Sequence, residues 1–207
     1  MMRNANTVNI KSQGDYHHGD LRAAALALGL KKLAEQAVPE LGLRGLAREL
    51  GVSATALYRH FASKDALLDA LAEEGIRQLG EFQKRAAEAA GGGRPSFQAT
   101  GEAYVKWAVG NPALFALTFA RKIRSDLSTQ AGGDNEAFRQ LQAGISSVHP
   151  ELEQGKSRAF AALHAWSLVH GLSHLILAGQ IDNDPETIRA VVSGTFGLDR
   201  ETGGGRA

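Results

Sequence analysis

Gly51–Leu67 reads GVSATALYRHFASKDAL, and the reading of this stretch decides the fold. Ser53 opens a short helix predicted to run through Phe61. An element this short offers a core little beyond Val52, Leu57 and Phe61, yet it carries Tyr58, Arg59 and His60 side by side. Residues three to four apart share a helix face, so with Leu57 and Phe61 turned inward, Ala54, Thr55, Tyr58 and Arg59 lie opposite. Ser63 is a second N-cap residue, placed to start a longer helix.

Working outward, the preceding residues carry an apolar stripe at Leu43, Leu46, Ala47 and Leu50, which ends at Gly51. Glycine takes the positive φ of a sharp turn at no steric cost. A small residue at Ala47, the turn at Gly51 and an aliphatic at Leu57 describe a helix-turn-helix. The outward polar groups then have an object. A phosphate backbone offers acceptors to Tyr58, His60 and Lys64, and the small Ala54 and Thr55 let the helix approach base edges. The helix starts at Ser53 and Ser63 add free N–H groups that favour anions. Double-stranded DNA is the expected partner.

The composition admits this and excludes some other classes. Of 207 residues, 43% are hydrophobic and 22% charged, the balance of a globular protein. Cysteine is absent, which rules out disulfides and thiolate metal sites. No apolar run approaches the roughly 18 residues of a membrane span, and the start MMRNANTVNIKSQGDYHH lacks a signal-peptide core, so a cytoplasmic protein with no membrane partner is expected. The net charge is +1, but residues 1–65 hold nine Lys/Arg against six Asp/Glu, a mildly basic third suited to a polyanion.

Elsewhere the periodicity is helical and no alternating strand pattern occurs. A first helix runs from an N-cap at Asp20 to Pro39, with Leu26, Gly29, Leu30, Leu33, Ala34 and Ala37 as its apolar face. The helix after Ser63 carries the stripe Leu67, Leu68, Leu71, Ala72, Gly75, Ile76, Leu79, Phe82 and fades over Ala86–Ala90, before a flexible break at Gly91–Pro95. Five more helices are predicted at Ser96–Val109, Pro112–Ala120, Asp134–Val148, Glu151–Ala178 and Pro185–Leu198, with Arg121–Gly133 a loop. The prolines at 112 and 185 suit first-turn positions. The fold class is all-α. Its expected divisions are an arm at 1–15, a three-helix DNA-binding head at 16–62, a helical domain at 63–198, and a tail at 199–207. Arm and tail are expected to be disordered.

LRGLARELGVSATALYRHFASKDALLDAL (Leu43–Leu71) closely resembles the DNA-binding pattern of the TetR family of transcriptional regulators. YHHGDLR (Tyr16–Arg22) and AWSLVHGLSHLI (Ala165–Ile176) resemble the subgroup whose C-terminal domain carries a Trp…His-Gly motif. The resemblance implies base contacts from Arg44, groove-facing positions at Ala54, Thr55 and Tyr58, and backbone contacts from Tyr58, His60 and Lys64. It also implies a homodimer built on the helices at Glu151–Ala178 and Pro185–Leu198. Gly42 departs from the family's usual Ser or Thr cap, and Ala54 and Ala56 offer no polar group to a base, so direct readout falls to Arg44, Thr55 and Arg59.

The resemblance further implies that the domain at 63–198 binds an effector, an apolar or amphipathic molecule whose pocket Trp107, Phe115, Phe119, Phe138, Phe160, Trp166 and His170 are candidates to line, although each taken alone also suits an ordinary core position. No cofactor is called for. Two other classes compete. His170 and His174 stand one turn apart as in metal sites, which would suit a metal-dependent enzyme, but no Glu follows the metalloprotease pattern and no third ligand presents itself. Paired carboxylates, a nucleophile elbow and a phosphate loop are likewise missing. A helical adaptor binding another protein is the third class. The expected function is a ligand-responsive repressor, acting as a homodimer on a palindromic operator and released by a small molecule.

Overall fold

The computed structural model describes residues 21–35, 41–121, 136–152 and 156–194. The expected arm, the Asp20 cap, the Tyr16–Arg22 motif except its last two residues, Pro39, the predicted loop after Arg121 and the tail lie outside these residues. Among the described residues the secondary structure is entirely helical: α1 Leu21–Glu35, α2 Leu43–Glu49, α3 Ala54–Tyr58, α4 Lys64–Ala89, α5 Gly93–Gly110, α6 Pro112–Ala120, α7 Glu136–Val148, α8 Lys156–Leu177 and α9 Pro185–Ser193.

Local chemistry sets the α2–α3 turn. Gly51 has φ 70, and two bonds close the end of α2: the Gly51 N–H donates to the Arg48 carbonyl at 3.3 Å and the Val52 N–H to the Ala47 carbonyl at 2.9 Å. This is a Schellman ending, which occupies carbonyls that the helix leaves free. Ser53 then caps α3 by accepting from the Ala56 N–H at 3.2 Å, and Ser63 caps α4 by accepting from the Ala66 N–H at 3.1 Å. Gly42 precedes α2 with no side-chain cap, as its missing hydroxyl requires.

Several boundaries differ from expectation. α3 ends at Tyr58 rather than Phe61; Arg59 and His60 form a turn in which the His60 and Phe61 N–H groups both donate to the Leu57 carbonyl at 2.9 Å. Phe61 is still buried, with the Arg22 guanidinium 5.6 Å from its ring centroid. The expected flexible break at Gly91–Pro95 is a tight turn at Gly91 and Gly92, and its last three residues are already helical. Gly91, Gly92 and Gly93 all have positive φ, a run that only glycine sustains cheaply, and α5 begins at Gly93. α8 is described over Lys156–Leu177, with Glu151 in a turn before it, and α9 over Pro185–Ser193, the expected stretch 195–198 lying outside the described residues. In α1 the buried line is Ala25, Gly29 and Leu33, while Ala34 is exposed.

α4 is the shared spine. Leu67, Leu68 and Leu71 pack with Leu57, Phe61 and α1 into the same core that Leu79 shares with α5 and α6. Gly29 of α1 lies against Leu71, where a Cβ would sit 3.1 Å from Cδ2. The expected stripe breaks at its end: Phe82 is exposed beneath the Arg85 guanidinium, and Gln83 takes the inward position. α5, α6 and α7 pack on the middle and C-terminal half of α4, α8 packs on α5 and α7, and α9 lies on α5 and α8. α8 holds the one long apolar helix among the described residues. Over Ser157–Leu177 its mean hydropathy is 1.3, long and apolar enough by length and composition to cross a membrane, a test that the core helix of a globular protein also meets. The apolar residues are interleaved with Arg158 and three histidines, which hides the stretch from a search for unbroken runs.

Gly75 admits the closest approach of α4 and α6, because a Cβ there would overlap Thr118 Oγ1, itself fully buried. Gly75→Ala is expected to lose about 1–3 kcal/mol of stability, the range for overpacking. Adding Thr118→Ala should restore part of that loss. Urea unfolding of both single variants and the double variant measures the coupling; strictly additive losses would contradict the contact.

Candidate functional site

The first candidate surface is the outer side of α2–α3 and the start of α4. Arg44, Ser53, Thr55, Tyr58, Arg59, His60 and Lys64 are all exposed, and Ala54 is half-buried. Tyr58 is 44% exposed, an unusual degree for a large aromatic whose neighbour Leu57 is at 0%. The Leu57 and Phe61 anchors therefore fix the rotation of α3, and the phenol, guanidinium and imidazole emerge together. No hydrogen bond or ion pair of the Arg44 or Arg59 side chain occurs among the described residues. By contrast Lys32 of α1 is tied to Glu49 of α2 at 2.6 Å, bracing the two supporting helices.

The second candidate site is a cavity of about 90 Å³ lined by residues of α4, α5, α6, α7, α8 and α9. Phe119, Phe138 and Trp166 line it as expected. The other four pocket candidates do not. Trp107 and Phe115 are buried in the core outside the lining, Phe160 is 68% exposed on α8, and His170 stands behind Tyr104. Gln83, Phe97 and Tyr104 line the cavity and were not anticipated. Gln83 was legible in the spacing, since it follows Leu79 by four residues on the inward register of α4. Phe97 depends on Gly144 of α7, where any Cβ would collide with its ring.

The Trp…His-Gly segment has a structural meaning at the cavity wall. Trp166 Nε1 donates to the Tyr104 hydroxyl at 3.2 Å, and that hydroxyl lies 2.9 Å from His170 Nδ1. Burial pushes the Tyr104 phenol well up, so it stays protonated, and with its oxygen already accepting from Trp166 the arrangement that uses its proton is donation to Nδ1. The His170 ring proton then sits on Nε2. His170 and His174 meet edge to face at 4.7 Å, and both pack on Phe115. Among the described residues no third His, Asp, Glu or Cys joins them in a metal-binding group.

A third feature links cavity and head. Arg121, two residues beyond Phe119, donates from Nε to Asp69 Oδ1 at 2.7 Å and from a terminal nitrogen to Asp65 Oδ1 at 3.0 Å. Both carboxylates belong to the first turns of α4, beside Lys64. The end of α6 is thus clipped to the start of the helix that leaves the head.

A capped helix-turn-helix presenting an unburied cationic and aromatic face, carried on a helical body with an apolar cavity, defines a DNA-binding regulator class. The comparisons place the chain within it. The family model described as "Bacterial regulatory proteins, tetR family" matches residues 25–71, and "Tetracyclin repressor-like, C-terminal domain" matches residues 97–195. The HTH-type transcriptional regulator Rv1816 of Mycobacterium tuberculosis is 31% identical over 105 residues, which cover 50% of this chain and 45% of that protein. The chain thus matches just under half the length of this curated relative. A solved structure of a protein of unknown function from Rhodococcus sp. RHA1 is 31% identical, with TM-score 0.66 over 87% of this chain and 94% of that one. The TetR family regulator PfmR of Thermus thermophilus, at 21% identity and TM-score 0.56 over 85% of this chain and 99% of that one, shares the fold. The chain belongs to the TetR family of transcriptional regulators.

Burial, then repulsion from His174, hold the His170 imidazole below its ordinary value, so the folded state prefers the neutral ring. Stability should fall as pH drops through the unfolded value of about 6.5, because the unfolded chain binds a proton that the folded chain resists. Melting temperatures at about pH 7.5 and 5.5 are expected to differ more for the native chain than for His170→Phe. An equal difference would show that this ring does not titrate against folding.

Proposed function

We propose that the chain is a ligand-responsive repressor that binds a palindromic operator as a homodimer through Arg44, Ser53, Ala54, Thr55, Tyr58, Arg59, His60 and Lys64. The outward Tyr58–Arg59–His60 face, on an element whose inward residues are fully committed to the core, is the observation that carries this reading. Nothing among the described residues uses those three groups, whereas a duplex supplies phosphates and base edges for them. Selection of bound fragments from a random DNA pool tests it. Inverted repeats are the expected product, and a protein that enriches no sequence would refute the proposal.

A homodimer is supported by the outer stripe of α8. Phe160, Leu163, Ser167, Gly171 and Leu175 follow one face at three- and four-residue spacing, and all are exposed. Apolar ends with Ser167 and Gly171 between them suit the close approach of a second helix. Two-fold symmetry then presents two recognition helices to successive half-sites, roughly 34–36 Å apart or a simple multiple.

Effector release runs through α6 and α4 in this reading. A ligand pressing on Phe119 shifts the end of α6, and the Arg121 clip carries the shift to Asp65 and Asp69 and so to the head. Reversing a 1:99 preference into 99:1 takes about 5.5 kcal/mol of differential ligand binding.

Lys64→Ala and His60→Ala are expected to weaken binding about equally for all duplexes and to flatten its salt dependence. Arg44→Ala should instead cost roughly 1–3 kcal/mol on the selected site and relax sequence preference. Competition assays with selected and scrambled duplexes at two salt concentrations read both effects; a sequence-blind loss from Arg44→Ala would remove it from base readout.

A further inference from the structure

Among the described residues the lining of the cavity contains no Asp, Glu, Lys, Arg or His, which leaves an ionic ligand without a counter-charge. Five rings face it: Phe97, Tyr104, Phe119, Phe138 and Trp166. Its polar groups can be accounted for one by one. The Thr100 hydroxyl donates to the Ser96 carbonyl at 2.9 Å, the Trp166 N–H goes to Tyr104, and the Tyr104 proton goes to His170. Gln83 Nε2 donates to the Thr100 carbonyl at 3.3 Å, and that bond fixes the orientation of the amide, because the flipped form would set two acceptors against each other. Gln83 Oε1 is left. It is buried, its residue is only 5% exposed, and it has no partner among the described residues. A buried acceptor without a donor is costly, so this atom selects what enters.

We infer that the cavity takes a small, uncharged aromatic molecule bearing one hydroxyl or N–H group, which donates to Gln83 Oε1 while the ring packs among the five aromatic side chains. At about 90 Å³ the cavity is far below the roughly 300 Å³ of drug-sized pockets, which sets the ligand at about one ring. The assignment deepens the effector reading above and rests on that reading for its regulatory consequence alone.

Phenol and toluene are near-equal in shape and separate the hydroxyl from the ring, while benzoate, larger by its carboxylate, adds the charge. Phenol is neutral at pH 7, its ordinary pKa being near 10 as for tyrosine. Transfer out of water alone favours toluene, since the phenol hydroxyl must give up hydration. Binding to the full-length chain without DNA is followed by ligand-observed NMR and tryptophan fluorescence. The native chain is expected to bind phenol at least as tightly as toluene and to show no saturable binding of benzoate. Gln83→Met should weaken phenol by about five- to tenfold, the worth of one hydrogen bond, and leave toluene within about twofold. Tighter binding of toluene than phenol by the native chain, saturable benzoate binding, or no saturable binding of either neutral ring overturns the assignment, and these tests need no variant. An unchanged phenol affinity in Gln83→Met overturns it as well. Release of the selected duplex is measured separately. Phenol that binds without releasing DNA upholds the cavity assignment and defeats the effector reading, while release by benzoate alone does the reverse.

Discussion

The burial of Leu57 and Phe61 beneath α1, α2 and the start of α4 is the constraint on which the rest depends. Those two side chains fix how α3 is rotated, and a helix of five residues has no other means of choosing a face. The Schellman turn at Gly51 aims α3, and the Ser53 cap begins it. With the inward side settled, Tyr58, Arg59 and His60 have only the outside. A polar face produced this way costs the fold nothing and is available to a polyanion.

α4 turns that local device into a regulator. Its first turns pack against the head and hold the Arg121 clip, and its middle meets α6 at the tight Gly75–Thr118 contact. Its last turns present Gln83 to the cavity. One rigid element therefore touches both sites, and α6 touches it between them. The exposed ion pairs of Arg121 contribute little to stability, since solvent screens such pairs. Their geometric value is different: they fix where the end of α6 lies relative to Lys64.

Much of the head was legible in the sequence, because its determinants are local. The Ser53 and Ser63 caps, the Gly51 turn and the apolar stripe of α2 each act within a few residues, and these reappear in the structure. The end of α3 was not legible. Phe61 reaches the core equally well from a turn, so its apolar character could not extend the helix. The cavity was only partly legible for a different reason. Aromatic residues at helical spacing look the same whether they fill a core, as Trp107 and Phe115 do, face outward, as Phe160 does, or line a void, as Phe119 and Trp166 do. What separates them is which helix lies opposite, and that depends on pairings such as Gly144 with Phe97. The inward Gln83 was visible in the register of α4, masked by the more conspicuous Phe82 beside it.

Oxidative footprinting of the protein, with and without a duplex recovered by selection, tests the central claim most directly. Tyr58 and His60 should be modified readily in the free protein and protected when the duplex is added, while the reactivity of Phe160 on α8 stays the same in both states. Undiminished modification of Tyr58 and His60 in the DNA-bound protein would contradict the account.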